Sequence, residues 1–243
     1  GRCTPRVAQH QHLACGVRRP PEKSRSMRCA PRACAVLLLC VPTLARRDAP
    51  PHATHSSTAS DTHAGMDATD DVALITGVAG YIGSHMALEL LERGRHVVGI
   101  DNMVRGSQNA LDVLSEFSTF TFIRMDLSGD IERIFQRHSI KTVFHFAAMA
   151  SVAESFKMPM MYHRNITRCT QRLVDAMIAF NVGNLIYSST CAVYGQPDSL
   201  PITEMTATEP TSPYGVAKLA AESYIKSKQS TTFTAQILRY FNV

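Results

Sequence analysis

The sequence contains no stretch of about 20 consecutive apolar residues, the length a helix needs to span a bilayer. Its apolar run at 33–45, centred on Ala35-Val36-Leu37-Leu38-Leu39, falls short of that. Past residue 65 there is no CxxC and no Cys/His pair at zinc-ligand spacing, and only Cys169 and Cys191 of the seven cysteines lie there. Neither a disulfide framework nor a metal site is expected in that part, which reads as a reduced cytoplasmic domain. No self-similarity at a solenoid period is present. A basic surface is missing as well, although the whole chain carries a formal charge of +5. Residues 1–65 hold ten Lys and Arg against three acids, or +7, which leaves 15 against 17, or −2, for the rest. No nucleic-acid partner is therefore expected.

Residues 1–65 are rich in Arg, Pro, Ser, His and Ala without an apolar period, and are expected to be a disordered extension. Two readings of it stand. Met27, Arg28 and Arg32 ahead of the apolar run resemble a secretory signal, and the Arg-rich, acid-poor context resembles a transit peptide, which would direct the protein to an organelle or the Golgi. Alternatively the extension lies upstream of the true start, since the sequence opens on Gly1 and Met66 stands just ahead of the first strand pattern.

From Val72 onward short runs rich in Val, Ile and Phe alternate with amphipathic stretches, the pattern of a parallel sheet covered on both faces. Strands are predicted at 72–77, 96–101, 120–125, 141–147, 184–189 and 234–240, and helices at 81–93, 108–116, 130–138, 159–181 and 213–228. With right-handed crossovers these give a doubly wound Rossmann-type α/β fold over 66–243.

Between the first strand and first helix stands Thr76-Gly77-Val78-Ala79-Gly80-Tyr81-Ile82-Gly83-Ser84. Glycines there permit a tight turn and a close approach of backbone to a pyrophosphate, with the helix N-terminus facing the phosphates. The second strand ends in Asp101-Asn102, at the spacing of a ribose-binding acid. A carboxylate accepts hydrogen bonds from ribose hydroxyls and repels a 2′-phosphate, so NAD is favoured over NADP. Asp126, at the end of the third strand, reads either as a partner of the adenine or as an N-cap of the next helix.

Ser188-Ser189-Thr190 ends the fifth strand, and Tyr214-Gly215-Val216-Ala217-Lys218 begins a helix with Tyr214 and Lys218 on one face. An ammonium beside a phenol favours the phenolate, which suits a tyrosine to proton transfer near neutral pH. A hydroxyl at Thr190 would complete the hydrogen-bonded path to the substrate.

These motifs, together with His145-Phe146-Ala147-Ala148, Val193-Tyr194-Gly195, Ser212-Pro213 and Leu238-Arg239-Tyr240-Phe241-Asn242, resemble those of the UDP-glucose 4-epimerases. That family lies within the extended short-chain dehydrogenase/reductases. The resemblance runs from about residue 72 to the last residue, and Tyr162 to Thr167 and Leu185 to Tyr194 are most similar to the plant-type UDP-arabinose 4-epimerase branch. It implies an NAD site lined by Gly77, Gly80, Tyr81, Ile82, Gly83, Asp101, Asn102, Asp126, Leu127, Phe146, Ala147, Asn165, Lys218 and Phe241. It further implies catalysis by Thr190 and Tyr214 assisted by Lys218, a UDP-sugar held by Thr190, Tyr214 and Asn242, and a homodimer formed through two long helices, with 159–181 a candidate. The sequence departs from the family at Ala150, where many relatives have Lys, and at Ala153, where they have Gly.

The activity implied is inversion of C4 of a UDP-hexose or UDP-pentose through a 4-keto sugar. The related 4,6-dehydratases need an acid/base pair after the Ser/Thr, and here Cys191-Ala192 follows Thr190. Family decarboxylases, reductases and a cofactor-binding scaffold remain as alternatives. The resemblance also implies that a C-terminal substrate domain is missing after Val243, and hence that the chain by itself turns over little UDP-sugar.

Overall fold

Residues 71–241 are described by a computed structural model. The 1–65 extension and Asn242 lie outside the described residues.

The strands form where β-branched and aromatic residues are buried on both sides. In β1 (Val72–Thr76) every residue after the first is buried, and in β5 (Asn184–Thr190) the same holds. With β2 (Val97–Asp101), β3 (Phe120–Arg124), β4 (Ile140–His145) and β6 (Thr234–Tyr240) they build one parallel sheet in the order β3-β2-β1-β4-β5-β6. This is the doubly wound order expected from the sequence. All six strands lie within two residues of their predicted ends.

Alternation along each strand feeds two cores. Leu74, Val143 and Leu185 face one side, where they meet Leu173, Val174 and Met177 of α6 (Cys169–Ala179) and Ile225 of α7 (Pro213–Lys228). Ala73, Ile75, Phe144 and Ile186 face the other, against Met86, Leu90 and Leu91 of α1 (Tyr81–Glu92) and Leu111 of α2 (Gln108–Leu114). The short α3 (Glu132–Arg137) completes the first layer through Ile134 and Phe135.

Residues 159–179 form one helical run, close to the predicted 159–181, with a π-helical turn inside it that the sequence did not announce. Met158 sits at φ −136°, ψ 56°, out of the helical region as a residue before proline tends to be, and Pro159 opens a new short helix, α5 (Pro159–Tyr162). A widened π-helical turn, His163–Arg168, follows before α6 begins. A six-residue helix that periodicity missed, α4 (Val152–Lys157), precedes them. Its signal was present as Ser151-Val152-Ala153-Glu154, a capping-box spacing, and the Ser151 hydroxyl accepts the Glu154 N–H at 3.2 Å. Six residues are too few to show an amphipathic period.

The strand order reverses between β1 and β4, leaving a crevice outside the carboxyl ends of the strands. Thr76 and His145 are register partners at its floor, and Thr190 ends β5 two strands from β1.

Candidate active site

The turn after β1 closes because two of its glycines leave no room for a side chain. Gly77 has φ +73°, and a Cβ on it would lie 2.7 Å from the Ala147 nitrogen. A Cβ on Gly83 would lie 2.1 Å from the Gly77 carbonyl oxygen. No side chain caps α1 at Gly80, so its first-turn N–H groups have no side-chain acceptor there. Gly77 and Gly80 line a cleft of about 660 Å³, within the range of small-molecule sites. Tyr81, Ile82 and Gly83 are not among the lining residues, and the Tyr81 side chain is largely exposed, its ring edge-on to His85.

Asp101 stands at the end of β2 with both oxygens engaged by backbone: Oδ2 accepts from Ala79 N at 3.0 Å and Oδ1 from Met103 N at 2.9 Å. That fixes the carboxylate at the cleft wall while lone pairs remain for a ligand hydroxyl. Asn102 donates to Asp126 Oδ2 at 2.7 Å, and Asp126 Oδ1 accepts from both the Ser128 amide and hydroxyl. The Ser128 hydroxyl first, and Asn102 after it, hold the Asp126 carboxyl below its ordinary range. Asp126 is therefore no N-cap, since α3 starts after Ile131, and it lines the cleft with Leu127.

Phe146, Ala147 and Asn165 line the same cleft, and Asn165 Oδ1 accepts the Met149 N–H at 2.8 Å from within the π-helical turn. Sequence reasoning missed Arg105 and Glu154, which also line it and form an ion pair across 49 residues of chain. Tyr162, fully buried, donates to Glu154 at 2.7 Å. The tyrosine also accepts from Ser151 N at 3.1 Å.

Thr190 and Tyr214 come together beside this cleft with Lys218 one turn along α7 from Tyr214, and none of the three is among its lining residues. Ser212 caps α7 by accepting Gly215 N–H at 3.1 Å, which places Tyr214 in the first turn. The Tyr214 ring stands edge-on to Tyr162 at 6.3 Å and 88°. Burial pushes its phenol pKa up, and a hydrogen bond with Thr190 opposes that rise. The Lys218 ammonium is aimed at the Ser188 carbonyl, 2.6 Å away, and lies 4.9 Å from the centre of the Tyr187 ring. Burial pulls its pKa down to about 7, against the pull of Glu222. Phe241 is exposed, and its carbonyl accepts from the Cys191 thiol at 3.7 Å.

Beneath the crevice His145 is buried and neutral, its pKa lowered to about 3 by desolvation and then by Lys218. Thr170 gives its proton to the Ile166 carbonyl at 2.7 Å, so it accepts from His145 Nε2 at 3.0 Å. Nδ1 then accepts from Thr76 Oγ1 at 2.7 Å, which in turn accepts the Ala147 N–H at 3.3 Å. Because the folded pKa lies below the ordinary 6.5, the unfolded chain gains a proton in acid that the folded chain refuses. This contribution is complete above pH 6.5 and is lost as pH falls toward 3. The melting temperature is expected to drop between pH 6.5 and 4, less steeply in His145→Asn. Parallel pH curves for the two chains would contradict this assignment.

A family model described as GDP-mannose 4,6 dehydratase matches residues 74–243. UDP-arabinose 4-epimerase 1 of Arabidopsis thaliana is 46% identical over 178 residues, which cover 70% of this chain and 42% of that protein. The chain thus spans less than half the length of this relative. Among solved structures, the UDP-Glc/GlcNAc 4-epimerase of Campylobacter jejuni matches with a TM-score of 0.68 and 35% identity, covering 70% of this chain and 53% of the other. The UDP-glucose 4-epimerase of Bifidobacterium longum, in complex with NAD+ and UDP, matches with a TM-score of 0.67 and 36% identity over the same shares.

Proposed function

For a chain that belongs to the GDP-mannose 4,6 dehydratase family and has named UDP-sugar 4-epimerases among its relatives, we propose the role of the NAD-binding and catalytic part of a UDP-sugar 4-epimerase. The observation that carries it is the meeting of Thr190 and Tyr214 in one hydrogen bond, with Lys218 on the next turn of the same helix, beside a cleft entered by the glycine turn.

The residues present fit a dinucleotide. Gly77 and Gly80 bring bare backbone to the cleft, Asp101 is fixed with lone pairs to spare, and Asn102 and Asp126 form a polar pair farther along it. When bound, NAD would supply the redox chemistry, taking a hydride from the sugar C4 and returning it to the opposite face of the 4-keto sugar. Tyr214 Oη takes the proton of the 4-hydroxyl and gives it back. Thr190 orients that hydroxyl, and Lys218 provides the positive charge that favours the phenolate. Since burial first, and then nearby Cys191 and Tyr162, favour the phenol form of Tyr214, a second positive charge brought by the ligand fits the same logic. The dehydratase chemistry in the family description is disfavoured here, because Cys191-Ala192 puts no carboxyl after Thr190.

The reading includes a second copy of the chain as partner, packed on the face where Phe156, Met160 and Val216 are exposed together at a shallow groove. Sedimentation of the purified protein tests that part, and a monomer at micromolar concentration would remove it.

The decisive assay incubates the full-length protein separately with UDP-galactose and UDP-xylose while proton NMR follows the anomeric signals. A C4 epimer formed without added reductant is the expected result. Unchanged sugars with NAD bound would reopen the reductase, decarboxylase and scaffold alternatives.

A further inference from the structure

Among the Asp, Glu, Lys and Arg side chains of the described residues, only two are buried: Lys218 and Glu222. They stand four residues apart on α7, one turn beyond Tyr214, and grip consecutive residues of β5. Lys218 Nζ donates to the Ser188 carbonyl at 2.6 Å, and Glu222 Oε1 accepts from the Ser189 hydroxyl at 2.5 Å. Arg239 of β6 reaches the same carboxylate with two donors, Nε to Oε1 at 3.0 Å and Nη2 to Oε2 at 2.5 Å. A buried charge is tolerated only where it is paired and hydrogen-bonded. A surface reading of a glutamate at this spacing, as one more solvated helix residue, does not fit full burial.

We propose that Glu222 is a positioning residue for the Tyr214–Lys218 pair, the buried carboxylate that stands one turn from Lys218 as its counter-charge and holds the Ser188–Thr190 strand end against α7. This deepens the reading of Tyr214 and Lys218 as the reacting pair and rests on it. The groups that face Lys218 from the packed elements are few. His145 on β4 is neutral, Tyr187 on β5 offers its ring, and Tyr214 lies one turn back on α7. Arg239 on β6 and Lys226 on α7 are both engaged by Glu222, the latter at 3.6 Å. Glu222 is the group whose charge opposes the effect of burial on Lys218. Burial would push the Glu222 carboxyl up, but the Arg239 and Ser189 hydrogen bonds and the nearby cations outweigh it and keep the carboxyl ionised.

The competing account makes Glu222 a structural clamp between α7 and β6 and nothing more. The two separate in a titration. The chain is labelled with carbon-13 at lysine Cε, and the Lys218 signal is assigned by its loss in Lys218→Met. In the unsubstituted chain this signal is expected to titrate near pH 7. In Glu222→Gln, which keeps the shape and an acceptor for Ser189, the midpoint should fall by about one pH unit, a tenfold change in the proton affinity of Lys218. Arg239→Gln breaks the clamp but leaves the carboxylate, so the midpoint should not fall. An unchanged midpoint in Glu222→Gln overturns the proposal, and so does an equal fall in Arg239→Gln. Should Glu222→Gln fail to fold, Glu222→Asp keeps the charge but withdraws it by one methylene. A smaller fall is then expected, and no fall overturns the proposal equally. The titration needs no ligand. Failure of the unsubstituted chain to bind NAD in calorimetry would instead undo the cofactor reading, and the two failures are told apart.

Discussion

Tyr214→Phe is expected to lower the epimerisation rate of the full-length protein by about 10²- to 10⁴-fold, the usual worth of one positioned acid/base group. The loss should fall on kcat, with NAD affinity within about twofold of the unsubstituted protein. The phenol oxygen is the only atom removed, and the ring keeps its edge-on contact with buried Tyr162. The helix start is unaffected, since Ser212 caps it through Gly215 N and not through the tyrosine. Stability should therefore change little, although Phe in place of the half-buried phenol removes the Thr190 hydrogen bond. Steady-state rates from the NMR assay, with NAD binding by calorimetry, provide the test. A variant that retains a tenth or more of the rate would mean that another group moves the proton, and Tyr214 would lose its role.

Gly83→Ala should damage both the fold and the cofactor site. In an ordinary helix interior this exchange stabilises, by roughly 1 kcal/mol. Here the added methyl would stand 2.1 Å from the Gly77 carbonyl oxygen, 2.9 Å from the Gly77 carbonyl carbon and 3.0 Å from Val78 Cα, all backbone atoms. That backbone cannot retreat freely, because Gly77 N and Val78 N both donate to the Ile100 carbonyl, at 2.8 and 3.2 Å, and Gly80 N donates to Gly77 O at 3.1 Å. Relief requires α1 to lift from β1 or the turn to open. A net loss of about 3 kcal/mol is expected, the upper end for overpacking, with NAD affinity reduced on the order of a hundredfold. Thermal melts and calorimetry on the same preparation check both. A variant with the original melting temperature and unaltered NAD affinity would show that the turn is softer than its hydrogen bonds indicate.

The inner strands β1 and β5 were legible because they are buried on both faces, so that runs such as Ala73-Leu74-Ile75 and Leu185-Ile186-Tyr187 carry no polar interruption. The strand order followed from handedness and alternation with helices. Helix 159–181 was legible as one run, but the π-helical turn inside it was not, since periodicity does not register one extra residue per turn. Within the site, Gly77, Gly80, Asp101 and Asn102 were legible because they stand at fixed places in the strand–turn–helix pattern, just after β1 and at the end of β2. Arg105 with Glu154 was not, since nothing local in either residue announces a partner 49 positions away. Glu222 escaped for the opposite reason: a glutamate followed four residues later by Lys226 is the pattern of an exposed helix face, and only the packed structure shows it fully buried.

The hydrogen-bonded chain through His145 joins three walls of the cleft: the end of β1 at Thr76, the start of the Phe146–Ala147 wall at the Ala147 amide, and the π-helical turn at Ile166, next to Asn165. Each link satisfies a polar group that burial would otherwise leave stranded, so the walls are brought into register during folding and not by a ligand. The freedom that a dinucleotide would otherwise have to remove from its receptor is already gone, and a larger share of each contact is left to appear as affinity. A site assembled in this way is expected to hold its cofactor through many turnovers, as a fixed part of the protein and not as a reagent exchanged in each cycle.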